Sequence, residues 1–241
     1  MAEEEREEQW VPRTEIGKKV AAKEITSIDE IFFLGKPILE HQIVDMLLPN
    51  LKAETLEMSV TQRMTDCGRK SQFKAIVIVG DGNGHVGIGV GKAEEARPAI
   101  ISAERDAKRN IISVPLGCGS WECGCGGEHS LPIIVKGKSG SVELTLKPAP
   151  KGLGIAANEV VKKVLSIAGV KDAWSFSRGH TETVYNTAMA TYDALNSLNR
   201  LKLKGSFVKE KDVKKTDSEP SPTEVAKTEK KPKQDEEKNE K

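Results

Sequence analysis

Between Phe73 and Gly91 the chain reads FKAIVIVGDGNGHVGIGVG, and few folds accommodate that run. Phe73 to Val79 is apolar and β-branched, the composition of a strand. Asp81-Gly82 and Asn83-Gly84 follow, dipeptides that accept positive φ and close tight hairpins. Val86, Ile88 and Val90 then alternate with Gly87, Gly89 and Gly91. That is a strand of period two with one face stripped of side chains, so backbone or ligand must approach that face closely. A helix is predicted from about Glu94, with Pro98 in its first turn, where a missing N–H costs little. Its apolar stripe is Ala99, Ile100, Ala103, Ala107 and Ile111. Upstream, Leu56, Met58 and Val60 alternate and predict a first strand.

Charge is distributed around this unit in a pattern of its own. Arg105, Lys108 and Arg109 fall off the apolar stripe and share the other face of the helix. Most such faces are simply solvated. Here a second basic element adds weight, because Arg63, Gly68, Arg69, Lys70 and Lys74 are read as a flexible basic loop ahead of the hairpin. A β-β-β-α unit with a basic loop and a basic helix has the layout of a double-stranded-RNA-binding fold, which reads shape, phosphate and 2′-hydroxyl. Residues 58–204 carry 20 Lys+Arg against 13 Asp+Glu, a net +7, whereas residues 1–57 carry 7 against 13. A basic core behind an acidic lead suits a polyanion partner.

Other chemistries fail on spacing. Gly82-Asn83-Gly84-His85-Val86-Gly87 matches GxGxxG but opens a strand, not a helix, so it does not predict a dinucleotide site. Gly91-Lys92 lacks both the Ser/Thr and the upstream glycine of a phosphate loop. No His or Cys nucleophile has a placed base and no H-E-x-x-H occurs, so no catalysis is expected. There is no apolar run long enough for a bilayer, and the acidic N-terminus lacks the order of a secretory signal, so no membrane role and a cytoplasmic location are expected.

In chain order, residues 1–50 read as an N-terminal extension with few regular elements, suited to folding against partners. Ser27 and Glu30 predict a capping box before a helix at Ile28–Phe33, and a second helix is predicted at His41–Leu48. Ile16, Val20 and Ile25 are scattered anchors. Residues 51–117 form the double-stranded-RNA-binding-like domain and residues 118–204 a C-terminal domain. The latter opens on Cys118, Cys123, Cys125 and His129, three thiols and an imidazole within twelve residues. They are either a structural zinc site with no open position or a glycine-rich turn with incidental cysteines, since C-x₄-C-x-C-x₃-H is not the usual pair of separated knuckles. Cys67 is read as a free thiol. Strands are predicted at Leu131–Val135 and Ser141–Leu146, with Lys136–Gly140 as the turn between them. Lys147 and Lys151 lie in the following Pro- and Gly-rich loop, which either contacts phosphate or is merely a loop. A helix at Asn158–Ala168 stopped by Gly169, a strand at Ala173–Ser177 and a final helix capped by Thr181 complete a β-β-α-β-α order. His180 has either a phosphate-contact or a packing role. Residues 205–241, with 10 Lys+Arg against 10 Asp+Glu, are expected to be a disordered charged tail. The fold class is thus α+β.

A longer joint pattern identifies a family. Gly68-Arg69, Phe73-Lys74-Ala75, Val79 to Gly87, Gly91 to Glu95, Ala107-Lys108-Arg109-Asn110, Pro148-Ala149-Pro150, Gly152, Gly154, Ala168-Gly169-Val170 and Arg178-Gly179 resemble the small-subunit ribosomal protein S five family. The likeness spans about residues 54–200. Trp10-Val11-Pro12 resembles the archaeal and eukaryotic branch, and the Cys118–His129 cluster the archaeal form. The resemblance implies two domains and a structural role in the small ribosomal subunit. It implies contacts with small-subunit rRNA and with ribosomal protein S four, beside the channel through which messenger RNA (mRNA) enters, and an effect on decoding accuracy. Gly68, Arg69 and Lys70 would then form the loop that reaches RNA. The expected RNA-binding residues are Arg63, Arg69, Lys70, Lys74, Arg105, Lys108, Arg109, Lys147, Lys151 and Arg178. No cofactor is required beyond the possible zinc.

Overall fold

The computed structural model describes residues 10–199, so the expected acidic lead and charged tail lie outside the described residues. Three short helices come first: α1 (Glu15–Ala21), α2 (Ile28–Leu34) and α3 (His41–Leu47). A four-stranded antiparallel sheet follows, with strands in sequence order: β1 (Lys52–Thr65), β2 (Gly68–Gly80), β3 (His85–Ala93) and β4 (Ile111–Ser113). Helix α4 (Ala96–Arg109) lies between β3 and β4 in the chain.

The stripped face of β3 is occupied by the backbone of α4. A Cβ on Gly89 would stand 2.2 Å from both the Ala103 carbonyl oxygen and the Ala107 nitrogen. Gly87 and Gly91 face Ala107 and Ala99 at 2.2 and 2.3 Å. Glycine on the strand and alanine on the helix let the two backbones touch. Ala75, Val77 and Val79 of β2 close the same cluster. Ile76 and Ile78 point the other way, into the main core with Val86 and Ile88. The continuous apolar run of β2 therefore reflects a strand buried on both faces.

The region read as a flexible basic loop is instead strand. β1 and β2 run on past the end of β3, whose Ala93 pairs with Phe73, as a two-stranded ribbon covering residues 61–72. Arg63 pairs with Lys70 and Met64 with Arg69 across it. Thr65 pairs with Gly68 (φ +125°), leaving a two-residue turn at Asp66-Cys67, and Thr65 Oγ1 donates to the Gly68 carbonyl at 2.8 Å. The turn lacks the Asn-Gly or Asp-Gly pair that advertises a hairpin, which is why its flanks look like loop.

The second sheet has the order β5-β6-β8-β7, from β5 (Val135–Ser139), β6 (Val142–Pro148), β7 (Ile155–Ala156) and β8 (Ala173–Arg178), with only β7–β8 parallel. Helices α5 (Glu159–Ile167) and α6 (Val184–Leu198) complete it. Lys136–Ser139, expected as a turn, is strand, and the expected strand at Leu131–Val135 contributes only Val135 to the sheet. The Lys-Gly-Lys composition hides the reason. Gly137 is empty because α6 lies on it, with the Ala190 oxygen 2.1 Å from where a Cβ would stand. Leu131 is buried but belongs to no named strand.

The two sheets share one core, which joins Ile76, Ile78, Val86 and Ile88 to Leu131, Leu144, Leu146, Leu165 and Leu195. The first hairpin turn docks on the end of α5, where Gly82 and Gly84 N–H donate to the Ile167 and Ala168 carbonyls at 3.0 and 3.1 Å. Gly169 (φ +89°) ends that helix as expected.

The N-terminal helices fold on their own chain, contrary to the expectation of a partner-dependent extension. Ile16, Val20, Ile25, Ile28, Ile31, Ile38, Ile43 and Val44 form a cluster closed by Ile111. Helix α1 was missed although Ile16 and Val20 share its face and Thr14 caps it, its Oγ1 accepting from Gly17 N–H at 3.0 Å. The Glu40 carboxylate accepts from Trp10 Nε1 and from the Arg13 and Thr14 N–H groups at 2.9, 2.9 and 2.7 Å. The expected capping box does not form: Ser27 Oγ donates to Glu30 Oε1 at 2.9 Å, side chain to side chain, and the Ser27 side chain makes no bond to a helix N–H. The N-cap of α6 is Thr183, two residues after the expected Thr181.

Candidate nucleic-acid interface and metal centre

The expected RNA-binding cations fall into three groups. Arg63, Arg69 and Lys70 are exposed on the ribbon. Thr61, Gln62, Arg63, Lys70, Gln72 and Lys92 line a shallow groove of about 480 Å³ along it. Lys70 Nζ reaches Glu94 Oε1 at 2.9 Å, an exposed contact of small energetic weight. Lys92 was not among the expected residues. Its signal was its place in β3, where it pairs with Lys74. Lys74 is half-buried, with Nζ 5.1 Å from the Tyr185 ring centroid, so it braces β2 against α6.

The second group lies on α4. Arg105 and Arg109 are exposed, whereas Lys108 is half-buried and pairs with Asp45 of α3 at 2.5 Å. The third group lies on and beside the second sheet: Lys147 on β6, Arg178 at the end of β8 and Lys151 in an exposed loop. Helix α4 packs on one face of the first sheet and helices α5 and α6 on the other, with the second sheet behind them, so the second and third groups are not brought together. His180 is exposed, and Cys67 sits exposed at the ribbon's turn.

Sequence reasoning also missed His85. It is buried, stacked on Phe32 with centroids 6.3 Å apart. Its Nδ1 lies 2.8 Å from Asp81 Oδ2 and its Nε2 3.4 Å from Asp29 Oδ1. Burial opposes its charge, but the Asp81 bond and then the Asp29 carboxylate outweigh it and raise its pKa. This contact fastens the hairpin turn to α2.

Cys118, Cys123, Cys125 and His129 do converge, their ligand atoms all within 4.8 Å of one another. Cys118 and His129 are buried, Cys123 is half-buried and Cys125 exposed. The loop is pinched at its base by the Gly117–Ser130 bridge and by Gly119 N–H donating to the Leu131 carbonyl at 3.1 Å. His129 Nδ1 meets Asp172 Oδ2 at 2.8 Å, which turns Nε2 toward the sulfurs, 3.8 Å from Cys123 Sγ. The other Asp172 oxygen accepts from Gly152 and Gly154 N–H at 3.1 and 2.8 Å. The Lys151 N–H, then the Cys125 thiol, pull the Cys123 thiol down to about 6, whereas burial pushes Cys118 up. Tetrahedral zinc with 2.3 Å bonds to sulfur needs neighbouring sulfurs roughly 3.8 Å apart. The donor set therefore fits after a contraction of about an ångström in its widest pair. The buried carboxylate behind the imidazole is the usual support of a metal-ligating histidine.

Two family models match this chain: Ribosomal protein S5, N-terminal domain, over residues 51–115, and Ribosomal protein S5, C-terminal domain, over residues 137–205. The small ribosomal subunit protein uS5 of Picrophilus torridus is 53% identical over 82% of this chain and 89% of its own length. The protein of the same name from Thermoplasma acidophilum is 49% identical over 83% and 91%, and that from Aeropyrum pernix 55% identical over 80% and 88%. The chain belongs to the S five family of ribosomal proteins, a non-enzymatic family whose work is structural, within the small ribosomal subunit.

Proposed function

We propose that the protein binds small-subunit rRNA, inserting the β1–β2 ribbon against phosphate. The observation that carries this is the ribbon itself, a projecting strand pair with Arg63 and Lys70 side by side on one face and Arg69, paired with Met64, on the other. A preformed strand pair holds its cations in place, so binding loses less side-chain and backbone entropy than a flexible loop would. Arg105, Lys108 and Arg109 on α4 form a second contact, with Lys108 exchanging Asp45 for phosphate. Lys74 adds a contact at the base of the ribbon, and Lys147, Lys151 and Arg178 serve the second half. Each cation at a phosphate adds salt-dependent affinity and positions the chain on RNA. Residues 51–117 and 118–204 act as two domains joined through their common core.

The second domain contacts ribosomal protein S four beside the mRNA entrance and supports decoding accuracy. Charge-reversal variants of that domain test this through misreading in cells, and unchanged misreading across several variants rejects it. Zinc held by Cys118, Cys123, Cys125 and His129 is structural, since all four positions are protein ligands. It pins residues 117–130 to the Gly152–Gly154 loop through Asp172. Sedimentation of native extract in magnesium, with metal analysis of the small-subunit peak, tests both readings. Near-stoichiometric co-migration with zinc supports them, and protein left at the top of the gradient points to a free-standing adaptor for other RNA.

A further inference from the structure

The outer face of the second sheet carries two exposed aromatic rings that packing does not explain. Val135, Val142, Leu144, Leu146 and Ala173 turn inward and are buried, and Gly137 meets α6 on that side. The alternate residues therefore face outward. Trp174 is 41% exposed and Phe176 50% exposed, adjacent on that face of β8. The register places Lys147 opposite Trp174, Thr145 opposite Phe176 and Glu143 opposite Arg178, with Lys136 and Lys138 one strand further out. No described helix covers this face.

We propose that this face is a stacking platform for unpaired RNA nucleotides, with bases on Trp174 and Phe176 and phosphates on Lys136, Lys147 and Arg178. The proposal rests on the RNA-binding reading above and specifies what the second half recognises.

Three observations favour RNA over a protein neighbour. The large apolar side chains that face outward from β6 and β8 are both aromatic, with only the small Ala156 of β7 beside Trp174, and aromatic rings offer a surface to any base. The charges are four cations against one acid, and that acid is engaged, since Glu143 Oε1 accepts from Lys138 Nζ at 2.7 Å. Lys136, Lys147 and Arg178 have no ion-pair partner among the described residues. Finally, Lys147 Nζ sits 4.6 Å from the Phe176 centroid, so the ring is already a cation site. An arriving base displaces that ammonium toward its own phosphate. Residues 174 and 176 are spaced roughly 6.7 Å along the strand, so successive rings take successive, splayed bases rather than a paired helix.

Ultraviolet crosslinking of purified intact small subunits tests this. The tryptic peptide Asp172–Arg178 carries both rings and no other aromatic residue. A nucleotide adduct on Trp174 or Phe176 is expected. An unmodified Asp172–Arg178 peptide, with adducts on ribbon peptides such as Ser71–Lys74, overturns the platform and leaves the RNA-binding reading intact. A crosslink from this peptide to another protein overturns it also. Absence of adducts on every peptide of the chain counts against both. As a second readout, the full-length Trp174→Ala/Phe176→Ala variant should bind a single-stranded oligoadenylate roughly 5- to 100-fold more weakly per ring removed. Its affinity for a fully paired RNA duplex should be unchanged. Equal binding of oligoadenylate by variant and parent overturns the platform.

Discussion

Replacing Gly89 with alanine tests the contact on which the first domain is built. In an ordinary strand this change is favourable by about 0.5–1 kcal/mol, because glycine loses more chain entropy on folding. Here the new methyl would lie 2.2 Å from the Ala103 oxygen, 2.2 Å from the Ala107 nitrogen and 2.8 Å from the Ala107 Cα. All three are backbone atoms of one helix, so no side chain can rotate away. Relief requires α4 to rise by roughly an ångström, and a gap of that size forfeits a quarter to a half of each van der Waals contact it opens. The contacts at risk are those of Ala75, Val77 and Val79 with Ala99, Ala103 and Ala107. Overpacking of well-filled cores costs about 1–3 kcal/mol, and this site falls at or above the upper end. Gly89→Ala should therefore destabilise the full chain by about 3 kcal/mol, with a lower urea midpoint and an unchanged slope. Gly35→Ala, at a positive φ with open space around it, should cost only about 1 kcal/mol and serves as the control. A Gly89→Ala chain as stable as the parent, or more stable, would refute the idea that glycine is present to admit the helix.

Three further outcomes follow from other contacts. Purified protein should hold one equivalent of zinc, lost in Cys123→Ser, and Asp172→Asn should weaken zinc affinity about 10- to 100-fold by freeing the imidazole. A parent protein that binds no zinc rejects the site. For the His85 contact, the folded pKa is raised, so its contribution is full below about pH 6.5 and fades as pH rises through the folded value. Asp81→Asn should thus destabilise more at pH 6 than at pH 8.5, as read by thermal melts, and a gap independent of pH contradicts the assignment. Glu40→Ala removes the acceptor of three donors and should lower stability by about 2 kcal/mol while loosening Trp10, detected as a red-shifted tryptophan emission.

The parts legible from the residues were those set by local period. The Phe73–Gly91 hairpin and the α4 stripe needed only alternation and turn chemistry, and the glycines of β3 announced a close approach without saying that a helix made it. Strand β5 was hidden because Gly137 looked like turn chemistry, when its partner was α6, more than 50 residues away in the chain. The ribbon was hidden because Asp66-Cys67 closes a turn without the usual residues. For the site, the spacing of Cys118, Cys123, Cys125 and His129 was readable, but Asp172, which orients the imidazole, lies 43 residues downstream. His85 and Asp29 are 56 residues apart, and no local pattern joins them. Trp174 and Phe176 were visible only as strand residues, since their shared outer face depends on strand order.

Binding of the full-length protein to purified small-subunit rRNA across a salt series tests the central claim most directly. Each phosphate neutralised contributes about 0.7 to 0.9 to the slope of log affinity against log salt. If the ribbon grips phosphate, the Arg63→Ala/Arg69→Ala/Lys70→Ala variant should bind more weakly at low salt, with a slope shallower by about 2–3. Parent and variant lines that coincide would contradict the account, because the ribbon would then project from the sheet without touching RNA.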